Sequence, residues 1–153
     1  MQIIICKDYD EISLKASEIV IDMIKKKPNI KLGLATGSTP IGLYKQLIQA
    51  YQHQIISFKD VISFNLDEYI GIDQNHPQSY YHFMHEHLFK HIDIYTSNIN
   101  MPENDIEHID ELAKHYNKKL KKNQLDVQIL GIGSNGHIGF NEPGTPLGNE
   151  TFV

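Results

Sequence analysis

Hydrophobic residues recur along this chain with two different periods, and these periods predict strands that alternate with helices. Short apolar runs rich in β-branched residues predict buried strands at 2–6, 32–35, 61–66 and 125–130. Apolar positions that repeat every three or four residues predict amphipathic helices at 12–24, 40–52, 78–90 and 109–120. This order predicts one α/β domain over residues 1–153, with an open, mostly parallel, Rossmann-like sheet and helices on both faces.

Polar residues beside these runs predict where the helices begin. The aspartates positioned to cap the first and the last helix are Asp8 or Asp10, and Asp105. Thr39 is the predicted N-cap of the second helix, because Pro40 is favoured at the first helical position. Residues 98–104 are predicted to form a loop between the third and fourth helices.

The composition is that of an ordinary globular protein, with 41% hydrophobic and 22% charged residues. A net charge of -5 argues against a nucleic-acid partner, because binding to a phosphate backbone needs a basic surface. Two lysine-rich stretches, 25–27 and 118–122, are expected to solvate helix ends. All 14 basic residues are lysines, so the guanidinium fork that usually binds phosphate or carboxylate is missing.

Cys6 is the only cysteine, which excludes an intrachain disulfide and a thiol metal cluster and is compatible with a reducing compartment. No apolar run reaches the roughly eighteen residues that a membrane span needs. The run at 3–6 is too short for the apolar part of a secretion signal. We therefore expect a cytoplasmic protein without a membrane partner.

The most informative stretch is 128–144, which joins the end of a predicted strand to five glycines and four polar side chains. In open α/β sheets, ligands bind beyond the carboxyl ends of the strands. The polar side chains are therefore expected to face a ligand rather than the core, and we predict an active-site loop. They are Asn135, His137, Asn141 and Glu142.

Residues 131–136 also match the dinucleotide-binding pattern G-x-G-x-x-G, but we interpret this match as accidental. That fingerprint requires a helix directly after the glycines and an acidic residue about 20 positions later. Gly139, Pro143 and Gly144 break a helix, and the chain has only 153 residues. We therefore do not expect a nicotinamide cofactor.

Residues 36–40 follow the second predicted strand and have two interpretations of equal weight. Gly37 permits close backbone approach, and the hydroxyls of Ser38 and Thr39 with free N–H groups at a helix start form an anion site. The same residues could simply cap the helix. A Walker loop is excluded, because no lysine follows at the required spacing.

Asp67 and Glu68 directly follow the third predicted strand, at another carboxyl end of the sheet. An acidic pair in a turn is often no more than a solvated surface. Its position at a carboxyl end favours a functional interpretation here.

Four neighbouring histidines, at positions 82, 85, 87 and 91, raise the hypothesis of a metal site. Only His87 and His91 have the i, i+4 spacing that places two ligands on one helix face. We therefore predict surface or structural roles for these histidines and no metal.

Four motifs, in order and spacing, resemble those of the glucosamine-6-phosphate deaminase family. They are 34–40 (LATGSTP), 64–69 (FNLDEY), 79–84 (SYYHFM) and 131–143 (GIGSNGHIGFNEP). The resemblance covers residues 31–145, and the residues after His137 distinguish this family from the related 6-phosphogluconolactonases. It implies conversion of glucosamine 6-phosphate to fructose 6-phosphate with loss of ammonia, in amino-sugar catabolism, without a metal or an organic cofactor.

The resemblance also implies roles for individual residues. Asp67 matches the base that moves a proton from C2 to C1, and His137 matches the group that carries the O1 proton to O5 as the ring opens. Asn135 and Glu142 match the residues that hold this histidine, and Glu142 is the only formal anion nearby. The loop that binds the sugar phosphate is matched by Thr36, Gly37, Ser38 and Thr39.

Members of this family are longer, and their further residues supply a lid and phosphate-binding arginine and lysine. We therefore expect an incomplete domain, truncated at its carboxyl end, which also accounts for the missing arginine. Two alternatives stay open: a phosphosugar hydrolase of the 6-phosphogluconolactonase type, and a phosphosugar-binding module without activity. The sequence does not determine whether the protein forms oligomers.

Overall fold

The computed structural model describes residues 1–146, 150, 151 and 153, which form a parallel α/β fold as predicted. The strands are β1 (Lys31–Leu34), β2 (Ile62–Asn65), β3 (Ile99–Asn100) and β4 (Val127–Gln128). All pairs are parallel, and the order across the sheet is β3-β2-β1-β4. The helices are α1 (Tyr9–Lys26), α2 (Ile41–Gln52), α3 (Tyr80–His87) and α4 (Ile109–Lys122).

The core forms where α1 and α2 pack on each other and on the central strand β1. Leu32 and Leu34 of β1 are buried in one cluster with apolar side chains of α1, α2 and α3. The buried Tyr44 hydroxyl of α2 donates to the Ala35 carbonyl, which ties α2 to the end of β1. Across the sheet, the Tyr116 hydroxyl of α4 donates to the Asn65 carbonyl at 2.7 Å. The carboxyl ends of β1 and β2 are therefore each held by a buried tyrosine.

The helix starts agree with the sequence at two places and differ at a third. Asp8 caps α1 by accepting from Glu11 N at 2.9 Å, and Asp105 caps the 3-10 turn that leads into α4. The predicted N-cap Thr39 is wrong by one residue, because Pro40 occupies that position and offers no side-chain cap. The third predicted helix ends early at His87 and is followed by a 3-10 turn.

The predicted first strand at 2–6 is wrong, since these residues have no strand pairing in the structure. Ile3 and Ile5 are 73% and 91% exposed. An extended apolar run becomes a strand only when a neighbouring strand satisfies its backbone groups, and no described strand lies beside it. At β3, in contrast, the structure has a strand where the sequence analysis predicted a loop. The strand was missed because two residues are too few to show a hydrophobic period.

Strand β4 is confirmed, but the prediction that it is a buried strand is wrong. It lies at the edge of the sheet with β1 as its single neighbour among the described residues. Val127 is only half-buried, and Leu130 just beyond it is 51% exposed. Asp126 fastens the start of this strand by accepting from Lys31 N at 2.9 Å.

None of the helices in the described part of the chain combines the length and the apolar character needed to cross a membrane.

Candidate active site

Three of the parallel strands end at the same edge of the sheet, and a different segment with polar residues follows each of them. The turn 36–40 follows β1, the turn 67–71 follows β2 and the loop 131–144 follows β4. Parallel strands place their carboxyl ends together, so the topology brings these three segments to one side of the molecule. This is where the sequence predicted the site.

The two adjacent carboxylates after β2 have separate environments. Glu68 accepts backbone hydrogen bonds from Tyr69 and Tyr80, both at 2.9 Å, and from Tyr81 at 2.8 Å. It therefore satisfies two of the free N–H groups at the start of α3, which Ser79 also caps. Glu68 is a structural anchor, and the functional interpretation of the pair applies to Asp67 alone.

Asp67 is half-buried and accepts no hydrogen bond from the described residues. Burial and, to a smaller extent, the neighbouring negative charge of Glu68 together raise the pKa of its carboxyl group to about 6. A carboxylate with a pKa near neutrality is able both to take up and to release a proton at physiological pH. This is the property that a general base needs.

The loop 131–144 holds His137 through an indirect contact with Glu142. Asn135 Nδ2 donates to Glu142 Oε2 at 2.9 Å, and Asn135 Oδ1 lies 2.7 Å from His137 Nδ1. The backbone N–H of His137 also donates to Asn135 Oδ1 at 3.2 Å, which fixes the orientation of the amide. Because Oδ1 is an acceptor, Nδ1 of His137 carries a hydrogen and Nε2 keeps its lone pair in the neutral ring.

The same loop closes on the histidine ring from the other side. Gly133 donates its N–H to the His137 carbonyl at 2.8 Å, and a methyl group at Gly133 would stand 2.2 Å from the ring. Any side chain at this position would therefore displace the imidazole. The described residues that follow form turns and no helix, so the context of a dinucleotide-binding loop is absent and the pattern match is accidental.

Aromatic packing joins this loop to the turn that bears Asp67. The Phe140 ring lies 5.9 Å from the Tyr69 ring and 6.3 Å from the Tyr80 ring, measured between centroids. A methyl group at Gly139 would stand 3.4 Å from Asp67 Oδ2. The sequence analysis missed Phe140 as a site residue, and only its place inside the fourth motif could have indicated it.

Tyr80 connects the turn 36–40 to the aromatic cluster of Tyr69, Tyr80 and Phe140. Its hydroxyl donates to the Tyr69 hydroxyl at 3.2 Å. Burial raises its pKa most, the Tyr69 hydroxyl and the charge of Asp67 raise it further, and the nearby Thr36 side chain opposes the increase. Thr36 and Asp67 are thus both neighbours of Tyr80, although they are far apart in sequence.

The turn 36–40 presents backbone donors that no described residue uses. Gly37 has a φ of 100°, and a methyl group there would meet no atom within 4 Å. The N–H groups of Gly37, Ser38 and Thr39 have no acceptor among the described residues. Three free N–H groups in a turn before a helix form an anion-binding arrangement, which favours that interpretation over helix capping.

A cavity of about 500 Å³ opens beside Asp67, on the side of α4. Apolar side chains such as Ile70, Leu112 and Ile138 line it together with the Asp67 carboxylate. Its size suits a small organic ligand. Asp67 lines this cavity, whereas His137 and the turn 36–40 do not.

The histidines of α3 pack against aromatic rings on their own helix. The His85 ring lies 4.6 Å from that of Tyr81, and the His87 ring lies 4.4 Å from that of Phe83. These contacts agree with structural and surface roles. Among the residues that the structure describes, no three His, Cys, Asp or Glu side chains form a group that could hold a metal ion.

Comparison with known proteins gives a consistent picture. The family model for glucosamine-6-phosphate isomerases and 6-phosphogluconolactonases matches residues 9–149. The chain is 51% identical to a glucosamine-6-phosphate deaminase of Thermoanaerobacter sp. and 49% identical to glucosamine-6-phosphate deaminase 2 of Bacillus subtilis. All of this chain is covered, against 61% and 62% of those relatives, so it spans about three fifths of their length.

Solved structures agree with this comparison. A monomeric glucosamine-6-phosphate deaminase superimposes with a TM-score of 0.94 at 41% identity, over 97% of this chain and 62% of that one. A 6-phosphogluconolactonase from Thermotoga maritima shares the fold with a TM-score of 0.70 at 24% identity, over 86% and 59%. With the family model matching most of the chain, this protein belongs to the family of glucosamine-6-phosphate isomerases and 6-phosphogluconolactonases.

Proposed function

We propose that this chain carries the catalytic residues of a glucosamine-6-phosphate deaminase, which converts glucosamine 6-phosphate and water to fructose 6-phosphate and ammonia. The observation that carries the proposal is Asp67, a half-buried carboxylate without a hydrogen-bond partner among the described residues, whose pKa is raised to about 6. The relatives with this activity in their names, at about 50% identity, support it further.

Asp67 is proposed as the base of the isomerisation. It removes the proton from C2 of the open-chain amino sugar and returns that proton to C1, and O1 gains the proton that the amine loses, so that C2 becomes an imine. Because the same carboxyl group accepts and then donates one proton, a pKa near neutral pH keeps both steps accessible. Water then hydrolyses the carbon–nitrogen bond of this imine, which gives the C2 ketone of the ketose and releases ammonia.

His137 is proposed as the group that opens the pyranose ring, by moving the O1 proton to O5. The Nδ1–H of His137 donates to Asn135 Oδ1. Nε2, which keeps its lone pair, is therefore the atom that takes up the proton. Glu142 acts on this histidine through the amide of Asn135 and not directly. Asn135 and Glu142 therefore orient the ring.

The phosphate group of the substrate is proposed to bind the turn formed by Thr36, Gly37, Ser38 and Thr39. Its three unused N–H groups favour an anion, and the turn lies beside Tyr80 and hence near Asp67. No metal or organic cofactor is part of the proposal, because proton transfers and hydrolysis by water account for the whole reaction.

The proposed setting is cytoplasmic breakdown of amino sugars such as N-acetylglucosamine and sialic acid, with a phosphosugar as the small-molecule partner. That residues 1–153 form a single α/β domain stays a prediction.

The test is a comparison of two reactions in a completed chain, defined as residues 1–153 followed by the remaining residues of the Bacillus subtilis relative. We expect release of ammonia from glucosamine 6-phosphate and no release of acid from 6-phosphogluconolactone. The opposite result would favour the lactonase alternative. Binding of the sugar phosphate without either product would favour a binding module.

A further inference from the structure

The first residue of α1 reaches across to the turn that follows β1. The Tyr9 hydroxyl lies 3.1 Å from the Ser38 carbonyl oxygen and 3.0 Å from that of Thr39. The N–H of Gly42, in the first turn of α2, donates to the same hydroxyl at 2.7 Å. One side chain therefore contacts the backbone of the proposed phosphate turn at two points and the start of α2 at a third.

The chemistry of a phenol determines how these contacts are shared. A tyrosine hydroxyl has one hydrogen to donate and lone pairs to accept. The Gly42 N–H uses the acceptor side, so the single hydrogen is shared between the Ser38 and Thr39 carbonyls. The hydroxyl has no remaining donor for a ligand, and its role is toward the backbone.

These contacts orient one peptide group of the turn. In a trans peptide, the carbonyl of one residue and the N–H of the next point in opposite directions. Because the Ser38 carbonyl points to Tyr9, the N–H of Thr39 points away from Tyr9. Thr39 is followed by Pro40, which has no N–H, so its carbonyl can turn to Tyr9 without moving another donor.

The close approach of the two helices depends on Gly42. A methyl group at Gly42 would stand 2.1 Å from Ser13 Oγ and 3.0 Å from Tyr9 Cε1. The absent side chain lets the Tyr9 ring lie over the start of α2, where its hydroxyl reaches the turn. The Gly42 N–H is occupied by this contact and is not among the donors available to an anion.

We propose that Tyr9 is a positioning residue for phosphate binding, which holds the turn 36–40 so that the Thr39 N–H faces the ligand. This inference rests on the proposed function of that turn. Tyr9 does not touch the substrate and acts only through the backbone. It contributes rigidity that a turn of glycine, serine and threonine lacks, and the binding of an anion then costs less conformational entropy.

The experiment titrates the 153-residue chain with inorganic phosphate, glucosamine 6-phosphate and glucosamine, and follows the backbone amides by 15N NMR. Tyr9→Phe removes the hydroxyl and keeps the ring. We expect the Kd of both phosphate ligands to rise about 5- to 10-fold, the effect of losing one supporting hydrogen bond. The weak binding of glucosamine should not change. Tyr95→Phe is the matched control, since Tyr95 is exposed to a similar degree but lies outside the turn.

The outcomes separate this inference from the function on which it rests. If phosphate does not shift the amides of Gly37 to Thr39 in the parent chain, both ideas fail. If the parent binds phosphate and Tyr9→Phe binds it equally well, only the role of Tyr9 is overturned. An equal loss for glucosamine and for the phosphate ligands would indicate general unfolding and would also overturn it.

A measurement on the parent chain covers the case in which Tyr9→Phe does not fold. The Gly42 amide, held by Tyr9, should exchange slowly with solvent and should barely shift when phosphate is added. The Thr39 amide should shift strongly in the same titration. A phosphate-induced shift at Gly42 as large as that at Thr39 would contradict the proposed division of donors.

Discussion

The turn 67–71 and the loop 131–144 both follow parallel strands and both carry proposed catalytic groups, but they are held differently. The first is bonded into the fold: Glu68 binds the start of α3, and Asn104 donates to the carbonyls of Tyr69 and Ile72. The second is held mainly by its own residues, through the Glu142–Asn135–His137 contacts. Phe140 is its main packing contact with the turn.

This difference separates the placement of the proposed base from that of the proposed ring-opening group. Asp67 is positioned by contacts with residues far along the chain, so its geometry depends on the stability of the whole fold. His137 is positioned by residues within seven positions of one another, so its geometry depends on the local loop. Mutations in the turn 67–71 should therefore affect the stability of the fold, whereas mutations in the loop 131–144 should act locally on His137.

The largest expected effect is loss of the base. In the completed chain, Asp67→Asn should reduce turnover by about 10²- to 10⁴-fold with substrate binding retained, as for other positioned general bases. Exchange of the C2 proton with deuterated solvent measures the step directly. Asp60→Asn, an exposed change elsewhere, serves as the control. Exchange at the parent rate in the Asp67 variant would show that another group moves this proton.

The next effect concerns the loop. His137→Gln should slow turnover of the closed pyranose by about 10²-fold, because it removes the proton carrier for ring opening. An open-chain analogue needs no ring opening and should be affected much less. The comparison of the two substrates is the measurement. Equal slowing for both would assign His137 to a later step and remove this contrast between the segments.

A stability measurement sharpens the comparison further. Glu68→Gln replaces one carboxylate oxygen by an NH₂ group that cannot accept from the backbone, so we expect a loss of about 2 kcal/mol in the free energy of unfolding. Glu103→Gln, an exposed glutamate on the wall of the cavity, should change little. Denaturant unfolding compares the two. An unchanged midpoint for Glu68→Gln would mean that the turn is not anchored through this residue.

The smallest effect is a dependence of stability on pH. The folded protein holds the Asp67 proton more tightly than the unfolded chain, because its pKa rises from 3.8 to about 6. Stability should therefore fall as the pH rises through this interval, and Asp67→Asn should remove that part of the fall. Since the side chain is partly exposed, we expect only about 1 kcal/mol. Parallel pH profiles for parent and variant would contradict the raised pKa.

Local patterns in the sequence were sufficient for most of the fold. The apolar periods located β1, β2, β4 and the four helices, because burial of one face imposes a repeat on neighbouring residues. Asp105 was identified as a cap, and Asp8 was one of two candidates with Asp10, because a cap bonds to residues two or three positions away. The motifs placed Asp67 and His137 at carboxyl ends of strands, where the sheet topology does bring their segments to one side.

Only the tertiary structure decided the features that depend on distant residues. Which carboxylate of the pair is free follows from the N–H groups of α3, more than ten positions away, that bind Glu68. The contact of Tyr9 with the turn 36–40 spans about thirty positions and leaves no periodic signal. Whether residues 2–6 pair, and whether β4 is covered, depends on strands elsewhere in the chain. Such contacts are set by packing in space, which a local pattern of residues does not encode.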